Sequence, residues 1–359
     1  MKKNFYSFSA DVIRVVAIIG VVVIHITGAV YTRPDFFGGI TWWITIILDS
    51  LSRISIPLFI MLSGYLLLRK NESLEKSIKR IFSRLAIPFI FWLLFYLWYG
   101  NGIPNFIRVN GSIFQKIFQG NVYHLYFLVI LFGLYFFAPL FASYIRAASS
   151  ASQHFLMKFL LVLGVAYIAL QFIFRSCSSD TLFTMWIPYA GLFVAGYVLG
   201  EKSAKFHKNK LMLGYIAAFI ATLSLNYLTY YLLMNHNHLL ASPRCLSNYT
   251  DHYVSINVVF MSLCAFLLLL HFQYERLKKY PLAVKIVQSI AKASFGIYLI
   301  HPVVARFLEM LFHLAVDFSP LPIFIILILR LCLVFIISFV VVAIARKVPV
   351  VKLVFGEKL

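Results

Sequence analysis

Three ionisable side chains, Asp11, Arg14 and His25, stand in one apolar stretch, "SADVIRVVAIIGVVVIHITGAV", residues 9–30. At 100° per residue, the eleven steps of a helix from Arg14 to His25 make three turns plus about 20°, with a rise of roughly 16 Å. The two therefore share a face, and Asp11, three residues before Arg14, lies on it within pairing distance. The pattern is a polar stripe with an ion pair at one end and a histidine at depth. Imidazole titrates near neutrality, so His25 suits general-base work on a hydroxyl or nucleophilic acceptance of a transferred group. A structural reading stays open beside these: an interfacial Asp11–Arg14 pair and a histidine donating one interhelical hydrogen bond.

Other apolar stretches carry similar residues. "LDSLSRISIPLFIMLSGYLLL", 48–68, places Arg53 near mid-membrane with Asp49 four residues earlier, and its Ser63–Gly64 step permits close helix packing. "NVYHLYFLVIL" carries His124, and "SFGIYLIHPVVARFLE" carries His301, Pro302, Arg306 and Glu309. Pro302 is expected to loosen the helix beside His301 and free backbone groups to bind something. Arg330 has no acidic neighbour in its own stretch; it needs a partner, for which Glu309 is a candidate, or it faces the cavity. An ionisable group within a span is costly and is read first as functional. Histidines in three different stretches (His25, His124, His301) suggest a shared polar cavity. Arg80 and Arg84, at i, i+4 with Lys76 and Lys79 nearby, are either membrane anchors or a docking place for phosphates, which suit arginine forks. His236, His238 and His252 lie in polar loops where such histidines are usually solvated, so no metal site is expected.

The elements that must position these residues follow from composition. Of 359 residues, 62% are hydrophobic and 12% charged, with a mean hydropathy of +0.89. Soluble domains average about 45–50% apolar and about 25% charged residues. About ten apolar stretches are long enough to cross a hydrocarbon core of about 30 Å: 11–32, 42–68, 82–100, 122–144, 155–174, 182–199, 211–234, 253–274, 286–314 and 321–346. The first shows no cleavage site and reads as a retained span. The expected fold class is all-α, a polytopic membrane helical bundle of about ten transmembrane helices. Residues 1–359 read as one membrane-embedded domain with no additional soluble domain.

The net charge of +20 is explained by topology. Loops on one side, with the N-terminus, the C-terminal tail and Arg84, hold 21 Lys and Arg; the opposite loops hold five. By the positive-inside rule both termini are cytoplasmic, and anionic lipid headgroups are the default partner of the basic face. No basic and aromatic motif stands outside these loops, so nucleic-acid binding is not expected. Cys264 and Cys332 read as small apolar fillers. Cys177 and Cys245 fall in two outward loops, where a disulfide is conceivable.

Taken together, Arg-x10-His (Arg14 to His25), "SRISIPLFIMLSGYLL", "HLYFL" and "SFGIYLIHP" resemble, in this order and over essentially the whole chain, the acyltransferase 3 family of integral membrane acyltransferases. Tyr126 departs from the pattern, since many relatives have Trp there. The resemblance implies an O-acyltransferase of the bacterial cytoplasmic (inner) membrane. It would move an acyl group, most commonly acetyl from cytoplasmic acetyl-CoA, to a hydroxyl of a cell-envelope glycan or lipid-linked saccharide. It implies His25 as base or acyl acceptor, Arg14 orienting or charge-stabilising the donor, and Asp11 positioning Arg14. Arg80, Arg84 and Lys79 would hold the CoA phosphates. Arg53, His124 and His301 would line the acceptor or oxyanion region. Two other readings compete. A transporter or flippase would line its path with buried charges, but no internal repeat is visible. A polyprenyl-phosphate glycosyltransferase would want paired acidic residues, whereas Asp35, Asp180 and Asp251 are scattered over separate loops.

Overall fold

The computed structural model describes residues 8–70, 73–107, 123–173, 181–235, 250–271, 277, 279–312 and 323–357. Every regular element among them is helical. The helices are α1 (Phe8–Tyr31), α2 (Ile40–Ser52), α3 (Ser55–Leu67), α4 (Leu74–Ile81), α5 (Ile87–Ile107), α6 (Tyr126–Ala147), α7 (Ser150–Ile173), α8 (Ala190–Gly200), α9 (Lys208–Asn235), α10 (Ile256–His271), α11 (Pro281–Phe312) and α12 (Ile323–Ala345). Eight helical segments are long and apolar enough to cross a membrane, and the chain is an integral multi-pass membrane protein. Each of the ten apolar stretches carries helix among its described residues, but in two of them the helix is short. Stretches 182–199 and 253–274 form Ile187–Gly200 and Ile256–His271. At 1.5 Å per residue the 16 residues of α10 rise about 24 Å, less than a hydrocarbon core. Large side chains such as Leu213, Phe155 and Ile344 are exposed on the helix surfaces, as the acyl-chain solvent of a bilayer allows.

Two compact units are formed by Met1–Leu62 with Leu199–Val342, and by Ser63–Val198 with Ala343–Leu359. In the first, α1 packs against α2, α10 and α11, and α9 packs against α10 and α2. The Trp42 indole N–H donates to the Tyr31 carbonyl at 3.0 Å. Around that bond Tyr31, Trp42, Ile46 and Tyr230 form a buried cluster that joins α1, α2 and α9.

The stretch 42–68 is not one uninterrupted helix. It breaks at Arg53–Ile54, because Pro57 has no N–H to donate to the Arg53 carbonyl. Gly20 lets α1 approach this break: a Cβ there would lie 2.1 Å from Ser55 Oγ. The basic segment 69–81, read as a loop, is helical from Leu74, and Ser73 caps α4 through the Lys76 amide.

In the second unit, Ser77 on α4 donates to the Tyr135 carbonyl of α6 at 2.8 Å. A π-helical turn, Phe82–Ala86, joins α4 to α5. The C-terminal segment Val351–Phe355 returns onto α5, where the Trp92 indole N–H donates to the Val354 carbonyl at 2.9 Å. Gly64 makes a close helix approach, since a Cβ there would lie 1.8 Å from the Phe193 carbonyl oxygen. The backbone of Phe193 cannot swing aside as a side chain could. Gly64→Ala is therefore expected to cost about 1–3 kcal/mol through forced backbone shifts, read as a lowered unfolding temperature of the detergent-solubilised protein.

Cys264 is buried, packed with Leu211 and Leu267, as a filler would be. Cys332 is not: it is exposed on α12, because that apolar helix presents a broad outward face. Cys177 and Cys245 lie outside the described residues, as do His236, His238 and Asp180.

Candidate functional site

α1 is continuous from Phe8 to Tyr31, so the stripe read from its spacing exists in one rigid element. The Arg14 guanidinium donates to Asp11 Oδ1 at 2.8 Å. Asp11 is almost wholly buried, whereas a quarter of the Arg14 side chain stays accessible. The buried carboxylate thus orients a guanidinium whose side chain stays partly accessible. Lys292 of α11 adds a second positive charge acting on Asp11.

Three turns further along α1, His25 is exposed, unlike its buried neighbours Ile26 and Thr27. Open space continues along that face. A Cβ on Gly28 would meet nothing within 4 Å among the described residues, and Ala29 is exposed. The His301 ring lies beside His25, with centroids 4.9 Å apart and planes inclined by 59°. His301 itself is 1% exposed. One imidazole is accessible and the other is buried beside it.

The His301 Nδ1 lies 2.8 Å from the Tyr298 carbonyl and 3.1 Å from the Ile297 carbonyl. A carbonyl only accepts, so Nδ1 carries the proton, and in the neutral ring Nε2 carries the lone pair. α11 runs through Pro302, and the carbonyl that the proline leaves without its amide partner is taken by the preceding histidine.

Arg53 occupies a different environment in the same unit. Its Nε donates to Asp49 Oδ2 at 2.7 Å, its Nη1 to the Asp251 carbonyl at 3.1 Å and its Nη2 to the Tyr31 hydroxyl at 2.8 Å. Asp251 Oδ2 lies 3.3 Å from the same guanidinium. The i, i+4 pairing of Asp49 with Arg53 is as read from spacing. The reading of Asp251 as an isolated loop residue is corrected: it joins Asp49 on one arginine. Asp251 sits on the turn before α10, where burial raises its carboxyl above the ordinary value against the opposing pull of Arg53.

The polar network extends outward from this centre. The Asn226 amide donates to Ser50 Oγ at 3.1 Å, and the Asn257 amide to Thr222 Oγ1 at 3.1 Å. Sequence spacing missed Tyr31, Asn226 and Asn257 because uncharged polar residues are common in helices. Only their burial sets them apart. Arg330 meets Glu309 at 3.2 Å, the partnership its lone position required.

The remaining candidates belong to the other unit. Lys79 and Arg80 end α4, and Arg84 lies in the π turn. Partial desolvation, then the charges of Arg80 and Arg84, hold the nearby Lys70 ammonium below its ordinary value. Like charges gathered this closely favour a polyanion. His124 is buried in the turn before α6, edge-on to Tyr96 with centroids 4.7 Å apart. No group of three or more His, Cys, Asp or Glu with metal-holding geometry occurs among the described residues.

Residues 8–346 match the acyltransferase domain model of the acyltransferase 3 family. No curated protein and no solved structure matches the chain.

Proposed function

Because the chain belongs to the acyltransferase 3 family, we propose that it is a membrane O-acetyltransferase. It moves acetyl from cytoplasmic acetyl-CoA to a hydroxyl of a cell-envelope glycan or lipid-linked saccharide. The observation that carries this reading is the accessible His25 against the buried His301, on the same helix face as the Asp11–Arg14 pair. The forms "SRISIPLFIMLSGYLL" and "YHLYF" add to it, being similar to those of the O-acetyltransferase of enterobacterial common antigen. In topology, the reading takes ten crossings with both termini cytoplasmic, in a bacterial inner membrane.

His25 takes the proton of the acceptor hydroxyl as its oxygen attacks the thioester carbonyl carbon. The tetrahedral intermediate collapses with breakage of the C–S bond, and the imidazolium returns its proton to the leaving CoA thiolate. In nucleophilic catalysis the His25 nitrogen attacks the thioester carbonyl first and the C–S bond breaks to release CoA thiolate; the acceptor hydroxyl then attacks the acyl carbon, the N–acyl bond breaks, and the hydroxyl proton passes to the released imidazole. Arg14, oriented by Asp11, steadies the donor. In the other unit, Arg80, Arg84 and Lys79 form a basic cluster suited to CoA phosphates, which arginine engages through forked hydrogen bonds. His301 supports His25, and Arg53 holds the walls of the acceptor region.

The test is radiolabelled acetyl-CoA supplied to reconstituted vesicles containing envelope glycan. Label appearing covalently on glycan hydroxyls supports the reading. Label crossing the membrane without being incorporated would overturn it in favour of a transporter. Replacing both Arg80 and Arg84 with Ala is expected to raise KM for acetyl-CoA at least about tenfold, the effect of losing roughly 1.4 kcal/mol, with kcat little changed. The wild-type KM should in turn rise with salt, since exposed charges are screened.

A further inference from the structure

We infer that Gly28 is a specificity-determining residue: by carrying no side chain, it keeps open the face of α1 over which the saccharide acceptor reaches His25. The inference rests on the proposed role of His25 as the residue that meets the acceptor hydroxyl.

Glycine inside a helix weakens it, through backbone entropy and a missing side chain. A helical glycine therefore calls for a reason, and close packing supplies one at several positions. A Cβ would lie 2.1 Å from Ser55 Oγ at Gly20, 1.8 Å from the Phe193 carbonyl oxygen at Gly64 and 2.1 Å from the Trp186 side chain at Gly133. At Gly28 a Cβ would meet nothing within 4 Å among the described residues. Packing accounts for Gly20 but not for Gly28, two turns further along the same helix.

The surroundings of Gly28 point to its use. Measured from His25, Gly28 lies about 4.5 Å further along the axis and about 60° around it, and Ala29 about 6 Å and 40°. All three belong to one face of α1. Before His25 that face is closed, since Ile18, Val21 and Val22 are buried. From His25 onward it opens, with His25 and Ala29 exposed and Gly28 half-buried. Thr32, exposed in the turn after α1, donates its hydroxyl to the Gly28 carbonyl at 2.7 Å. That bond holds Thr32 against the backbone and leaves its oxygen to accept from a sugar hydroxyl. A face in contact with acyl chains carries large apolar side chains, as at Ile19, exposed about 120° around the helix from His25. The open face carries His, Gly, Ala and Thr instead, which suits a polyhydroxylated ligand.

The geometry of the reaction selects the occupant. A general base stands within about 2.6–3.2 Å of the hydroxyl it deprotonates, so the ring bearing that hydroxyl covers a neighbouring turn of α1. The preceding turn is filled by Val21 and Val22, and His301 occupies the flank 4.9 Å away. The ring therefore lies over Gly28 and Ala29. A side chain at position 28 would take the space of the ring, and a larger one more of it.

The test is a size series, Gly28→Ala, Gly28→Leu and Gly28→Phe, in the full-length protein reconstituted with envelope glycan and acetyl-CoA. The kcat/KM for glycan should fall in the order of side-chain volume. At Gly28→Leu the fall should be about 10²-fold, the effect of displacing a reacting group by an ångström, with KM for acetyl-CoA unaltered. Alanine and leucine are better helix formers than glycine, so the unfolding temperature should not drop. Independently, Gly28→Cys is treated with a water-soluble thiol reagent, and modification of the peptide carrying position 28 is read by mass spectrometry. Envelope glycan should slow that modification.

Wild-type kcat/KM in Gly28→Leu would remove Gly28 from acceptor selection, as would losses of activity that track a lowered unfolding temperature. Labelling indifferent to glycan, or no labelling at all, would equally overturn the inference, the latter by showing the face closed to water. A wild-type protein that acylates nothing would defeat the functional reading, yet the labelling would still decide whether glycan occupies the face at Gly28.

Discussion

His25→Ala is expected to lower acetyl transfer by about 10²–10⁴-fold, the usual contribution of a positioned acid–base group, while the protein still inserts and remains monodisperse. The separation of function from folding follows from where the ring sits. Its neighbours Ile26 and Thr27 are buried, but His25 is exposed toward open space, so truncation removes little packing. The measurement is single-turnover transfer of labelled acetyl together with an unfolding temperature for the same preparation. Full activity in the variant would remove His25 from the reaction. The two catalytic routes separate in the wild type. Rapid quenching with acetyl-CoA and no acceptor should leave the His25 peptide unmodified if it acts as a base, and acetylated if it acts as a nucleophile.

The second large effect is on stability. Arg53→Ala is expected to cost about 3–5 kcal/mol, as when one partner of a buried ion pair is removed. Two carboxylates, Asp49 and Asp251, converge on this guanidinium at 2.7 and 3.3 Å, and Asp49 is fully buried. Without Arg53 they face each other in a low dielectric with no counter-charge. The variant should unfold at markedly lower temperature or be recovered in low yield. Arg53→Ala combined with Asp49→Asn and Asp251→Asn should recover part of the loss, because neutral amides no longer repel. Failure of the triple variant to improve on Arg53→Ala would show that the guanidinium acts through its bonds to the Tyr31 hydroxyl and the Asp251 carbonyl instead.

These two residues show why some of the site was readable from spacing. Asp11, Arg14 and His25 lie on one helix, and Asp49 and Arg53 are one turn apart. Helical periodicity alone brings such residues onto a shared face. Arg330 and Glu309 were matched across 21 residues by a different argument, that a charge inside a membrane requires a partner. The break at Arg53 was also legible in principle, since Pro57 stands four residues later. Asp251 was not: it is 198 residues from Arg53 in the chain, and a lone aspartate in a polar segment carries no mark of its partner. Tyr31, Asn226 and Asn257 acquire their importance only by being buried.

By itself, the sequence determined that this protein lives in a membrane, that it is helical, and that a polar stripe ends at His25. Those properties depend on composition and on residues a few turns apart, where backbone geometry leaves little choice. Tertiary structure alone decided that His301 rather than another histidine stands 4.9 Å from His25, and that Asp251 completes the shell of Arg53. Such pairings depend on which distant segments pack together. That choice is governed by summed burial and by the need of every buried charge for a partner, and neither quantity belongs to any one stretch of chain.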